Sequence, residues 1–106
     1  MQSENNTGIE NIDEFYLSAE IQDEILEDFV ETQHDVMDKI RDALAVGDFK
    51  KAEILMHTLK TVAGMMVEEG LTDMALQMEL TFKKKAKPSE EAIKNIETQI
   101  KKIIDR

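Results

Sequence analysis

Cysteine is absent from this chain, so thiolate nucleophiles, disulfides and thiolate-held zinc or iron–sulfur centres are excluded, and His34 and His57 are the only imidazoles. With a helical step of about 100° per residue, Lys50, Glu53, Lys60, Thr61 and Gly64 fall within about 60° of His57, while Leu55, Leu59, Val62 and Met66 fall opposite. His57 is therefore predicted on an exposed face, beside a cation and small residues. A neutral imidazole there has a lone pair for attack and needs no separate base near neutral pH. Lys60 brings an ammonium to the same face one turn later, as a point charge. His34 lies beside Glu31 and Asp35, belongs to no motif and is assigned to the solvated face. A metal on His57 and Glu53 would have two ligands and an adjacent lysine, which makes weak chelation, so no metal is expected. No Gly-rich phosphate loop, Ser–His–Asp order or close carboxylate pair supports a self-contained turnover enzyme.

The elements that must hold these residues follow from composition and periodicity. At 106 residues the chain makes one domain, and with 42% hydrophobic residues it can bury a core. One Pro, four Gly and 34% charge point to helices, because turn-rich β folds demand more Pro and Gly. Residues 1–8 are polar and aperiodic and read as a flexible tail, leaving 9–106 as a single domain; a short helical piece is expected over Ile9–Leu17. From a Ser18 cap, Ile21, Ile25, Phe29, Val36, Ile40 and Leu44 predict one long amphipathic helix ended by Gly47 at C′. Asp48 caps the next helix, with Ala52, Leu55, Leu59, Val62 and Met66 on its inner face, and Gly70 marks its break. Leu71, Met74, Ala75, Met78 and Phe82 form a third stripe up to Pro88. Ser89 then opens a last helix carrying Ile93, Ile96, Ile100 and Ile103. Short connections make neighbours antiparallel, so the expected fold is all-α: an up-down-up-down four-helix bundle with a short N-terminal helix.

The net charge of −10 is unevenly spread: residues 1–47 hold thirteen acids and two bases, and residues 48–106 hold ten acids and eleven bases. That field repels a phosphate backbone, so nucleic acid is not an expected partner, and Lys83-Lys84-Lys85-Ala86-Lys87 is read as a solvated helix end. The longest apolar stretch, Ala63–Val67, is too short to cross a bilayer, and the N-terminus lacks signal-peptide order; no membrane role and a cytoplasmic location are expected.

The run His57-Thr58-Leu59-Lys60-Thr61-Val62-Ala63-Gly64, with Leu71, Met74, Ala75 and Met78-Glu79 downstream and Ala45-Val46-Gly47-Asp48-Phe49 upstream, resembles the histidine-containing phosphotransfer (HPt) domain family. The likeness spans residues 18–82 without a gap and the final helix by pattern alone. It implies a monomeric phosphocarrier, not a turnover enzyme, in which His57 Nε2 accepts a phosphoryl group from the aspartate of a response-regulator receiver domain and passes it to another. A histidine kinase is the second partner class it implies. Lys60 would offset charge on the phosphoryl oxygens. Glu79 would accept the Nδ1 proton and orient His57, or else sit exposed and pair with Lys83 at i+4. Lys50, Glu53, Thr61 and Gly64 would lie on the docking face, Lys50 and Glu53 pairing at its rim. No cofactor is implied for this chain; magnesium and the aspartate belong to the receiver. Two positions depart from the family pattern. Thr61 stands where the family usually has Gly, which narrows access to the ring. Val67 stands where the family favours another Gly, with Gly70 three residues later, which is read as a helix extended by most of a turn. These departures motivate a rival reading, an HPt-like interaction module that binds a receiver or other signalling partner without carrying phosphate.

Overall fold

The computed structural model describes residues 19–106, and the expected tail over 1–8, the helical piece over Ile9–Leu17 and the Ser18 cap lie outside the described residues. Within them the chain is all helical: α1 (Ala19–Gln33), α2 (Val36–Ala45), α3 (Phe49–Met65), α4 (Glu69–Lys83) and α5 (Glu90–Ile104), with no strand. The α1–α2 unit, α3, α4 and α5 make the four rods of the bundle.

The single long first helix expected from periodicity is instead two helices. His34 and Asp35 form a turn between them, with Asp35 at φ −116° and ψ 15°. Two side chains bond back to the carbonyls that precede it. The Thr32 hydroxyl donates back to Asp28 O at 2.8 Å, a bond that bends helices. His34 Nδ1–H donates to Val30 O at 2.9 Å, which also accepts the His34 backbone N–H at 3.2 Å, and reaches Glu31 O at 3.2 Å, so the ring covers carbonyls of the last turn of α1. Thus His34 is exposed as expected, but it caps α1 rather than standing idle in solvent. Buried Phe29, Gln33, Val36, Met37, Ile40, Ala43 and Leu44 keep helical spacing through the turn, which is why the pattern conceals it.

Three helices end the same way. At Gly47 (φ 75°), Val67 (φ 58°) and Lys85 (φ 58°) the chain enters the left-handed region. The following amide then returns to a carbonyl five residues back: Asp48 N–H to Ala43 O at 2.8 Å, Glu68 N–H to Ala63 O at 3.0 Å, and Ala86 N–H to Thr81 O at 3.1 Å. Gly47 takes the C′ place expected for it. The extension of the second helix does not occur: α3 stops at Met65, Val67 occupies the left-handed C′ position although β-branched, and Gly70 lies inside the first turn of α4. The starts of α3 and α5 follow the sequence. Asp48 Oδ1 accepts from Lys51 N–H at 3.0 Å, and Ser89 Oγ accepts from Ala92 N–H at 3.1 Å.

Phe29, Ile40, Met56, Leu59, Leu71, Phe82, Ile96 and Ile103 fill the centre of one core. Helices α3 and α4 form the closest-packed pair. Ala52, Ala63 and Ala75 are fully buried, and such short side chains let the two rods approach. On the far side Arg41 clamps α2 to α5, its Nε 3.0 Å from Glu97 Oε2 and its Nη2 2.9 Å from Glu90 Oε2. Arg106 pairs with Glu68, joining the end of α5 to the α3–α4 turn.

Candidate functional site

The close pairing of α3 and α4 sets opposite each other two residues that are 22 apart in sequence. His57 projects from the middle of α3 with 59% of its side chain exposed, whereas Glu79, on the α4 flank facing it, is 4% exposed. His57 Nδ1–H donates to Glu79 Oε2 at 2.9 Å. The second carboxylate oxygen, Oε1, receives the Lys60 ammonium at 2.7 Å as an ion pair, although no hydrogen bond of good angle reaches that buried oxygen. One carboxylate therefore joins the imidazole to the cation one turn further along the same helix.

Burial pushes the Glu79 carboxyl up, but Lys60 and His57 together pull it down further, and it ends below the ordinary carboxylate range. Glu79 is thus ionised at neutral pH. An ionised carboxylate can only accept, so the hydrogen of its bond to His57 resides on Nδ1, and in the neutral ring the lone pair is on Nε2. Nε2 makes no hydrogen bond to another described residue, and the ring is mostly in solvent. The arrangement presents a nucleophilic nitrogen outward and holds a counter-charge behind the ring.

Glu79 is buried, bonded to His57 and Lys60, and does not pair with Lys83, so the exposed i+4 pair that was one expectation for it is not formed. Lys60 lies on the His57 side of α3 as expected, but its ammonium rests on Glu79, and its side chain is only 25% exposed. Lys50 is exposed and stands 4.0 Å from Glu53 Oε1, the rim pairing that was expected. Thr61 is exposed, and its hydroxyl donates to His57 O at 3.0 Å, so it is folded back on its own helix. Gly64 is exposed with open space where a Cβ would stand. A shallow depression at the ring is lined by Glu53, Ile54, His57, Thr58, Glu79 and Lys83. Glu53 is the one expected docking residue that reaches it. Ile54, Thr58 and Lys83 were not anticipated there. Ile54 could have been found from its i−3 spacing to His57, and Lys83 from its i+4 spacing to Glu79.

No group of three His, Asp or Glu side chains able to hold a metal gathers among the described residues. No helix among them is long and apolar enough to cross a membrane. Comparison with curated proteins and with solved structures finds no match. The family profile described as Hpt domain matches residues 24–106, a span that contains His57, Lys60, Glu79, most of α1 and all of α2 to α5. With an exposed histidine on a helical bundle and all but its first 23 residues matched, this chain belongs to the Hpt domain family, whose chemistry is histidine phosphotransfer in phosphorelays.

Proposed function

We propose that His57 is the phosphoacceptor and that the chain relays a phosphoryl group between receiver-domain aspartates. The observation that carries this reading is the buried, ionised Glu79 bonded to Nδ1 of an otherwise exposed ring. In the forward step the Nε2 lone pair forms a bond to phosphorus while the bond to the aspartyl oxygen breaks, and the carboxylate leaves with the receiver. No proton need move, because Nδ1 keeps its hydrogen throughout; the ring becomes cationic and Glu79 stands against that charge. Lys60 offsets the charge on Glu79 in the resting state and lies one turn from His57 on the same helix, from where its ammonium can meet a phosphoryl group on the ring as a point charge. Phosphoryl transfer asks mainly for in-line approach and charge relief, and a protein with this small set of groups supplies both.

In this reading the magnesium that the transfer uses is held by the receiver beside its aspartate. The carrier acts as a cytoplasmic monomer whose docking face is the outer surface of α3 and α4, with Ile54 as an apolar contact near the ring and Lys50, Glu53, Thr61 and Gly64 around it. Incubation with receiver domains charged by acetyl phosphate and magnesium tests this. An acid-labile phosphate should appear on His57 and vanish in His57→Gln. Stable binding with no label on wild-type protein would overturn the relay.

A further inference from the structure

The α4 helix ends beside His57 in a run of lysines. Lys83 lines the depression at the ring, and Lys84, Lys85 and Lys87 follow, all exposed. None of the four pairs with a described acid, although 23 of the chain's 106 residues are acidic. Glu79, the acid one turn before Lys83, is committed to His57 and Lys60, and residues 80–89 contain no acid at all. Lys85 stands at the left-handed C′ position, so the lysines are gathered at a helix end and its turn.

At the opposite end of the bundle α1 has the reverse character. Asp23 of α1 lines a groove with Met65, Met66, Val67 and Arg106, which places the start of α1 at the α3–α4 turn, the far end of α4 from the lysines. From Asp23 onward α1 carries Asp23, Glu24, Glu27, Asp28 and Glu31 and no base. Helix α2, nearer the lysines, is balanced, with Asp38 and Asp42 against Lys39 and Arg41. Helix α5 runs the other way, with Glu90 and Glu91 beside the lysines and Lys101 and Lys102 at its far end, so the polarity is carried by α1 and by the end of α4, and the lysine cluster is the charged patch that borders the imidazole.

We infer that the lysine run Lys83–Lys87 steers an acidic protein surface, that of the receiver, onto the His57 face. This inference rests on the phosphocarrier reading and adds what selects and orients the partner. A receiver that holds magnesium must gather carboxylates about its aspartate, and such a surface is complementary to this patch. Duplex DNA is the less suitable polyanion, because its extended charge would also run along the acidic α1 end. Long-range attraction of this kind acts on association rate and is screened by salt.

Two double variants of equal charge test the inference: Lys84→Gln/Lys87→Gln in the lysine cluster, and Lys101→Gln/Lys102→Gln at the end of α5. All four side chains are exposed, and circular dichroism checks that both variants fold. Stopped-flow association with the receiver that labels His57 fastest should slow by about tenfold at low salt in the first variant and by under about twofold in the second, with the first difference fading as salt rises. Equal slowing in both, or an effect confined to dissociation, overturns the steering role while leaving phosphotransfer standing. Competition by a duplex DNA at physiological salt overturns the choice of a protein partner. If no receiver associates with or labels the wild type, the phosphocarrier reading falls, and the steering role with it.

Discussion

Val67→Gly should make this protein more stable, and Gly47→Ala should make it less so. The two residues hold the same place in two copies of one helix ending. Each lies at positive φ, and the amide after each closes the six-residue hydrogen-bonded turn. A non-glycine residue in the left-handed region is disfavoured by roughly 1–2 kcal/mol. Glycine returns about 0.4–1 kcal/mol of that through its larger unfolded-state entropy. Val67 is 70% exposed, so little packing is lost with its side chain, and a Cβ at Gly47 would meet nothing within 4 Å. The net for each exchange is about 1 kcal/mol, with opposite signs. For a chain of 106 residues the unfolding entropy is about 0.2 kcal/mol/K, so each shift amounts to about 4–5 °C in Tm. Urea titration and calorimetry of both variants read it, with the urea slope unchanged. A destabilised Val67→Gly would refute the reasoning, because it would mean that the valine side chain contributes more through contact than its backbone conformation takes away.

Replacing Glu79 by Gln should lower stability by about 2 kcal/mol, the scale of a charge-assisted hydrogen bond, since the neutral amide leaves Lys60 without its counter-charge; it should also slow labelling of His57 without preventing receiver binding. Acid should erase that stability difference. The Glu79 carboxyl titrates below its ordinary range in the folded state, so its contribution is complete above the unfolded value of about 4.3 and is lost as pH falls through the folded one. Urea melts of wild type and Glu79→Gln should converge on acidification, and a gap that widens in acid contradicts the assignment. Thr61→Gly removes a β-branched side chain from the turn after His57; it should weaken folding by under about 0.5 kcal/mol, because Thr is itself a poor helix former, and raise the labelling rate, and unchanged labelling would show that Thr61 does not obstruct the ring.

Much of this architecture is legible in the residues themselves. Burial of Ala52, Leu59, Leu71, Ala75, Ile93, Ile96, Ile100 and Ile103 follows from their helical spacing, and the Asp48 and Ser89 caps from their side-chain oxygens. The turn at His34-Asp35 is hidden because it contains neither Gly nor Pro and leaves the apolar spacing intact on both sides. The end of α3 is misjudged for a related reason: a valine at positive φ contradicts its own propensity, and the hydrogen bonds around it decide. At the site, wheel geometry puts His57 and Lys60 on one flank, yet a single helix cannot tell where the ammonium rests. That depends on Glu79 arriving from α4, and its arrival depends on how closely α3 and α4 pack.

Nitrogen-15 NMR of the His57 imidazole near neutral pH, before and after exposure to a phosphorylated receiver, addresses the central chemistry most directly. The neutral ring should carry its proton on Nδ1, and the phosphoryl group should then appear on Nε2, with the Nδ1–H signal persisting through the transfer. A neutral ring protonated on Nε2, or a phosphoryl group on Nδ1, would contradict the role given to Glu79 and the outward nucleophile built upon it.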